Sequence, residues 1–334
     1  MDFGLTDEQD QLAAAERAWL SRNDPIARVR EALDVAAVTI DAAAVAHATE
    51  SGLLALLTPE MEGTHVDLAV IAEAHGYAAS SLPIADLAVA TWLLDGVGRP
   101  TEGALVGLAF GPDAQADGAA LHLSGRSTPV PMAADLDAVA VVGSVDDGEY
   151  LAVVADPTRS AITTFDLTRS WARLNLEVTV DDWTELPEGT LALLRDALAV
   201  HRAFDALGAA ARLLEMTVSY AMQREQFGTL IGSFQAVKHH CADMVVAVEA
   251  SRATLWAAAL AFDTASGSAR TRAASAAAAY AKSAAAKVAG SALQVHGGIG
   301  FTWEHDLHLF LRRIKVDEAF DGTVAEHRAA LVTA

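Results

Sequence analysis

Cysteine is nearly missing from this chain: Cys241 is the only one in 334 residues. An internal disulfide and a Cys-based zinc site are therefore excluded. Basic residues are also scarce, 23 Lys and Arg against 44 Asp and Glu, for a formal net charge of −21. A surface of that sign repels phosphate backbones and anionic lipid, which argues against nucleic-acid or membrane binding. Positive contacts to any anionic ligand must then be local. No apolar, uncharged run of about 18 residues reads as a transmembrane helix. The Ala-rich stretch Ala273–Ala289 is interrupted by Lys282 and Lys287 and is small rather than greasy. The acidic start, Met1-Asp2-Phe3-Gly4-Leu5-Thr6-Asp7-Glu8, is unlike a signal peptide. The expectation is a soluble, cytoplasmic protein.

What is present is ample material for a core, with 52% hydrophobic residues. Thr6 followed by Asp7 and Glu8 reads as an N-cap with an acidic first turn, and the helical pattern runs on to Leu20. Helical patterns also cover Ala36–Leu57 and Val66–Ala79, punctuated by Pro59, Gly63, Pro83 and Pro100. After Gly103 the texture changes to short runs at Ala119–Leu123, Ala138–Val142, Leu151–Ala155 and Leu174–Val180, separated by Gly, Pro and Asp turns. That spacing predicts a small β-barrel or sandwich. From Gly189 long amphipathic patterns return at Leu191–Met222, Gln235–Thr264 and Ala269–Val295. The predicted fold is mainly α with a central β-domain: helical 1–102, β 103–186, helical bundle 187–334.

Three segments carry chemistry. Arg224-Glu225-Gln226-Phe227-Gly228, then Ile231-Gly232-Ser233-Phe234-Gln235, joins two helices and offers one Arg plus backbone amides suited to a phosphate. By itself such an Arg is more often solvated. Gln294-Val295-His296-Gly297-Gly298-Ile299-Gly300-Phe301 ends a helix in glycines that either cap it or admit a ligand. His305 and His308 lie near Glu304 but lack a carboxylate at ligand spacing, so no metal is predicted. Phe320-Asp321-Gly322-Thr323 places Asp321 on a turn, either as a cap or as an exposed base.

In this order, and with Gln294 and Asp321 standing 27 positions apart, these segments resemble the acyl-CoA dehydrogenase family over nearly the whole chain. The resemblance implies an N-terminal helical domain, a middle β-domain and a C-terminal four-helix bundle. It implies FAD as cofactor and α,β-dehydrogenation of an acyl-CoA, with a carboxylate taking the α-proton and the flavin the hydride. In the family the Arg and Gln loops reach across a dimer interface to the ADP half of the neighbour's FAD. The matching cofactor residues here are Arg224, Gln226, Phe227, Ile231, Gln235, Gln294, Val295, Gly297, Gly298 and Thr323.

Other family features are altered. The flavin-holding Thr of a Thr-Glu-Pro-Gly turn corresponds to Ala109-Phe110-Gly111-Pro112, without a hydroxyl. The Trp-x-Thr segment over the flavin is not recognisable near Val130-Pro131-Met132. Asp321 stands for the catalytic Glu, and Phe320 for the preceding Tyr. The shorter side chain moves a carboxylate by about 1.5 Å, and about 1 Å can cost about 10²-fold in rate. The family's alternative base position falls near Leu198, with Asp196 and Asp205 the nearest acids. The N-terminal domain reads as trimmed. Keeping what serves a neighbour's FAD while losing what holds its own resembles the short subunits of heterotetrameric dehydrogenases of bacterial steroid side-chain degradation. That resemblance implies a longer homologous partner in an α2β2 assembly, an acyl-CoA substrate of steroid side-chain type and an acceptor of electron-transfer-flavoprotein type. The alternatives are a self-sufficient homo-oligomeric enzyme with Asp321 as base, and a non-catalytic scaffold.

Overall fold

A computed structural model describes residues 4–24, 26–33, 38–265 and 267–333. The first helix, α1 (Asp7–Asn23), starts as its sequence dictates. The Thr6 side chain accepts from the Gln9 amide and Gln9 reaches back to the Thr6 amide, closing a capping box. Next come α2 (Ile26–Leu33), α3 (Ala42–Glu50), α4 (His65–Ala78) and α5 (Ile84–Gly96). The predicted helix over Ala36–Leu57 is shorter than its pattern: residues 36–37 lie outside the described set, and Gly52, at φ +71°, ends α3 before a short 3-10 turn. Two helices go unread in the sequence for opposite reasons: α2 is amphipathic but only eight residues long, and α5 is apolar on nearly every side because it is buried on nearly every side.

The middle of the chain folds into nine strands: β1 (Val106–Phe110), β2 (Gln115–Asp117), β3 (Ala120–Arg126), β4 (Val130–Pro131), β5 (Ala138–Val145), β6 (Gly148–Ala155), β7 (Thr158–Ile162), β8 (Trp171–Val180) and β9 (Trp183–Leu186). One sheet has the order β1-β5-β6-β9; β1 runs parallel to β5 with Val106 opposite Ala138, and the other pairs are antiparallel. The second has the order β2-β3-β8-β4, with β7 also on β8. Leu108, Val141 and Tyr150 of the first sheet share a core with Leu121, Leu123 and Leu174 of the second, as in a sandwich.

The remaining helices are α6 (Thr190–Ala221), α7 (Gln235–Thr264), α8 (Ser268–His296), α9 (Leu307–Ala319) and α10 (Val324–Thr333), with a two-residue-strand hairpin, β10 (Glu225–Gln226) and β11 (Thr229–Leu230), between α6 and α7. At 32 residues α6 is long enough, about 48 Å, to serve two cores. Leu191–Leu198 pack with the sheets and α5, whereas Val200–Leu213 pack with α4, α7, α8 and α9. Small residues set the helix spacing. A Cβ on Gly208 of α6 would lie 2.0 Å from the Glu73 carbonyl oxygen, and one on Gly76 of α4 would lie 1.9 Å from that of Asp205. The two helices therefore cross backbone to backbone. In α8 the buried face is a ladder of alanines, including Ala274, Ala277, Ala281, Ala285, Ala289 and Ala292. By length and composition α7 is apolar enough to cross a membrane; here Met244, Val248, Leu255 and Ala259 bury one of its faces in the bundle.

Candidate functional site

The turn after α9 is built by three cross-chain restraints. Asp321 takes φ +56° and Gly322 φ +88°, a left-handed pair that turns the chain into α10. Lys282 of α8, 1% exposed, donates from Nζ to the carbonyl oxygens of Phe320 at 2.5 Å and Gly322 at 2.8 Å. His327 Nε2 lies 2.9 Å from the Asp321 carbonyl. Burial pulls the Lys282 pKa down, with Asp321 and Asp317 working the other way. Thr323 is engaged locally: its hydroxyl bonds Glu326 Oε2 at 2.9 Å and accepts from the Glu326 amide at 3.3 Å, capping α10.

The Asp321 carboxylate points inward onto Arg202 of α6, which also pairs with Asp86 of α5. Burial opposes the Arg202 charge, yet Asp321 and Asp86 together raise its pKa above the usual guanidinium value. The guanidinium lies over the Trp171 ring at 5.5 Å, and Phe320 meets the same ring edge-on at 4.7 Å. Trp171 pairs with Pro131 in the β4–β8 ladder, and the buried Met132 donates its amide to the Ser170 carbonyl at 2.8 Å. The fold thus gathers Val130–Met132 and Phe320–Asp321 around Trp171 and Arg202. At the Ala109–Pro112 turn, the buried Phe110 carries the Arg195 guanidinium on its ring at 4.8 Å. A Cβ on Gly111 would meet the Tyr150 hydroxyl at 2.5 Å. That hydroxyl donates to the Pro112 carbonyl at 2.9 Å, so the turn is packed shut against β6.

The alternative acids are also committed. Asp196 accepts from Arg270 at 3.1 Å and Thr271 at 2.7 Å. Asp205 is held by Arg313 through two 2.6 Å bonds and by Arg169 at 3.0 Å; burial would raise its pKa, but these guanidiniums hold it well below the usual range. Beside it Asp317 is pushed well above that range, by burial first and by Asp205 next. Leu198 is buried in the core. His305 Nδ1 accepts from the Leu307 amide at 3.2 Å, and His308 Nε2 lies 3.3 Å from the Trp303 carbonyl.

The other set of predicted residues faces outward. From Arg224 to Leu230 every side chain is exposed, and Phe227, at φ +56°, is 94% exposed at the tip of the hairpin. Among the described residues Arg224 has no ion-pair or hydrogen-bond partner for its guanidinium, unlike most arginines of this acidic chain. Its backbone is fixed instead: the Arg224 amide donates to the Tyr220 carbonyl at 2.9 Å and its carbonyl accepts from Ile231 at 2.8 Å. Gln226 bonds only the Glu225 carbonyl, and Gln235 begins α7 exposed. Gln294 and Gly298 are exposed, Val295 and Gly297 half-buried. A groove of about 460 Å³ between α7 and α8, lined by His240, Met244, Lys287 and Ser291, ends at Gln294.

Residues 191–333 match the family model described as acyl-CoA dehydrogenase, C-terminal domain. The acyl-CoA dehydrogenase IpdE2 of Mycobacterium tuberculosis is 35% identical, across 78% of this chain and 76% of that protein. The chain belongs to the acyl-CoA dehydrogenase family. Acyl-CoA oxidation with FAD is therefore the chemistry it serves. Solved structures extend the agreement in fold to the whole chain. A chain of the ChsE4–ChsE5 complex of M. tuberculosis superposes with a TM-score of 0.90, 24% identical, covering 100% of this chain and 98% of that one. A chain of the Tcur3481–Tcur3483 steroid acyl-CoA dehydrogenase gives 0.88, also 24% identical, covering 98% and 97%.

Against FAD the two parts of the molecule behave differently. The Arg224 and Gln294 loops offer an unpaired guanidinium and exposed amides, a donor set that fits a pyrophosphate. The stretches that correspond to the flavin cradle fit less well, because Phe110 and Met132 are buried apolar side chains without a hydroxyl to offer, and Trp171 lies against Pro131 and Arg202. The residues that sequence reasoning missed are Arg202, Asp86, Trp171 and Lys282. No local sequence signal marks them: the charged ones, Asp86, Arg202 and Lys282, are buried beside partners far away in the chain, and that need for partners appears only with the fold.

Proposed function

We propose that the chain is the non-flavin-holding subunit of a heteromeric acyl-CoA dehydrogenase, lending ADP-side contacts to an FAD seated in a longer homologous partner. One observation carries the reading: Asp321, at the position of the family's base, is consumed by the buried Arg202–Asp86 pair, while Arg224 is exposed and unpaired. A carboxylate that takes a proton from substrate must present a free lone pair to it, and here Oδ2 is held by a buried guanidinium and the side chain is only 16% exposed. The residues of this chain would bind and orient; proton abstraction would belong to the partner. The likeness in fold to chains from two-protein assemblies, one of them a steroid dehydrogenase, supports an α2β2 complex and a CoA thioester of steroid side-chain type as substrate. We further propose a cytoplasmic location and an electron-transfer-flavoprotein-type acceptor, in keeping with the acidic surface.

The test is flavin stoichiometry. The chain is purified alone and after co-expression with the homologous partner, and visible flavin absorbance is compared with protein concentration. The expected result is little or no flavin in the isolated chain and fewer flavins than chains in the complex. A full, stable complement of FAD in the isolated chain sinks the proposal and returns Asp321 to consideration as the base. A complex that assembles but retains FAD equally well when Arg224 is removed would favour a scaffold.

A further inference from the structure

The two outward-facing loops are joined by a ladder of aromatic rings. Tyr220, in the last turn of α6, stacks on His296, the last residue of α8, with centroids 4.6 Å apart and planes 18° apart. His296 in turn meets His305, which precedes α9, edge-on at 4.8 Å. Each rung adjoins a loop. The Tyr220 carbonyl receives the Arg224 amide, and His296 directly precedes Gly297 in the glycine turn and lies two residues after Gln294.

The hydrogen bonds of His296 define its protonation. Its Nδ1 lies 2.8 Å from the Ala292 carbonyl oxygen, so Nδ1 carries the hydrogen and donates. Among the described residues Nε2 is buried without a partner, and there an unpaired lone pair costs less than the unpaired N–H of a charged ring, since an unmade bond costs most at a charged group. A second proton on this ring would place an unsatisfied donor in an apolar stack beside His305. The groups that face the ladder are few: Tyr220 from α6, His305 before α9, and behind His305 the Asp306 carboxylate and the Arg30 guanidinium of α2. Burial lowers the His296 pKa, the Ala292 carbonyl opposes this, and His305 lowers it further. Burial lowers that of His305 too, with Asp306 raising and Arg30 lowering it.

We propose that His296 is a positioning residue: neutral and stacked on Tyr220, it holds the Arg224 loop and the Gln294–Gly298 turn in one fixed relation, and its protonation releases both together. The proposal rests on the reading that these loops face an FAD. Its first test does not. Hydrogen exchange of backbone amides in 223–231 and 294–301 is measured on the isolated chain at pH 7.5 and 5.5, corrected for intrinsic rates. In the wild type both segments open more readily at pH 5.5, by up to about ten-fold per pH unit, the limit for uptake of one proton. In His296→Phe, which keeps a ring but cannot be protonated, both stay protected at both pH values. In Tyr220→Ala both are loose already at pH 7.5. Independent opening of the two segments, or an unchanged pH response in His296→Phe, overturns the proposal whatever the fate of the FAD reading. The second measurement is flavin release from the co-expressed complex on a gel-filtration column. The wild type should lose flavin increasingly below pH 6.5, and His296→Phe should not. If exchange behaves as expected but flavin release does not follow, the ladder stands and the FAD assignment fails.

Discussion

Asp321 and Arg202, 119 positions apart in sequence, meet as carboxylate and guanidinium inside the protein, with Asp86 on the other side of the same guanidinium. An arginine so placed is satisfied by two acids. Losing the arginine is therefore far costlier than losing either acid alone.

That asymmetry is measurable. Arg202→Met leaves Asp86 buried and unpaired and should destabilise the chain by about 3–5 kcal/mol in urea unfolding. Asp321→Asn keeps the Asp86 pair and a hydrogen-bonding side chain, and should cost about 0.5–2 kcal/mol. In the co-expressed complex Asp321→Asn should leave acyl-CoA turnover within a few-fold. Removing a working base typically costs 10²–10⁴-fold; a loss of that size, with flavin and assembly intact, would place the chemistry in this chain.

Arg224 gives the opposite pattern. Its side chain is exposed and, among the described residues, without a hydrogen-bond or ion-pair partner, so Arg224→Ala should change the unfolding free energy by less than about 0.5 kcal/mol. A charge-assisted bond to a pyrophosphate is worth about 1.5–3 kcal/mol. Flavin retention in the complex should accordingly fall by roughly ten-fold or more. Equal retention by equilibrium dialysis, with assembly intact, would make Arg224 an ordinary surface residue.

Much of this molecule was readable because local signals and tertiary demands agreed. Gln235–Thr264 was bounded to the residue, and Thr6 capped its helix as predicted, since caps and periodicity are written within a few neighbours. The outward loops were readable for a similar reason: Arg224, Gln294 and their glycines form short motifs at fixed spacing. The inward site was not. Nothing near Arg202 in sequence announces Asp321, and Lys282 reads as an interruption of an alanine run although it is the clamp on that turn. The helix α9 carries only a short buried stripe, Leu307, Phe310 and Ile314, and begins without a side-chain cap at Asp306, so little in its local sequence marks it. The strand β1 is buried on both faces and so shows no alternation, and β7 and β9 are largely exposed or half-buried, without an apolar face to mark them.

The α4–α6 crossing supplies a packing test. Gly208→Ala drives a Cβ to 2.0 Å from the Glu73 carbonyl, where backbone must move. The expected cost is at least about 3 kcal/mol, the upper end for overpacking. Gly228→Ala is the control: it sits at φ +78° with open space around it, so only the strain of a left-handed residue is added, about 1 kcal/mol. Comparable Tm losses for the two would mean that α4 and α6 do not cross this closely.

The buried histidine pair between α4 and α6 fixes how stability should vary with pH. His65 Nδ1 and His201 Nε2 are 3.0 Å apart, and Phe262 stacks on His65 at 4.4 Å. Burial, with Arg270 nearby, brings His65 down to about 4. Burial and His65 together take His201 well below its ordinary value. Both rings are thus neutral in the folded chain at neutral pH, whereas an unfolded histidine takes up a proton near about 6.5. Above that pH neither state binds the protons and the pair costs nothing. As pH falls below it the unfolded chain gains protons that the fold refuses, so stability drops until the folded rings also protonate, near 4 for His65. Glu16 does not confuse this window. Burial raises its pKa, but His75 and His47 bring the balance below the usual carboxylate value, so its contribution is lost only at more acid pH. Asp317, pushed well above the carboxylate range, works the other way, because the fold keeps a proton that the unfolded chain releases. In urea unfolding at pH 7.5, 6.5 and 5.5 the histidine share is therefore read against a variant, each buried histidine removing at most about 1.4 kcal/mol per pH unit below about 6.5. The double variant His65→Phe, His201→Leu should be less steep between pH 6.5 and 5.5 than the wild type. Equal slopes would show that the pair is protonated or hydrated in the native state, and that the acid sensitivity lies instead with the histidines beside the glycine turn.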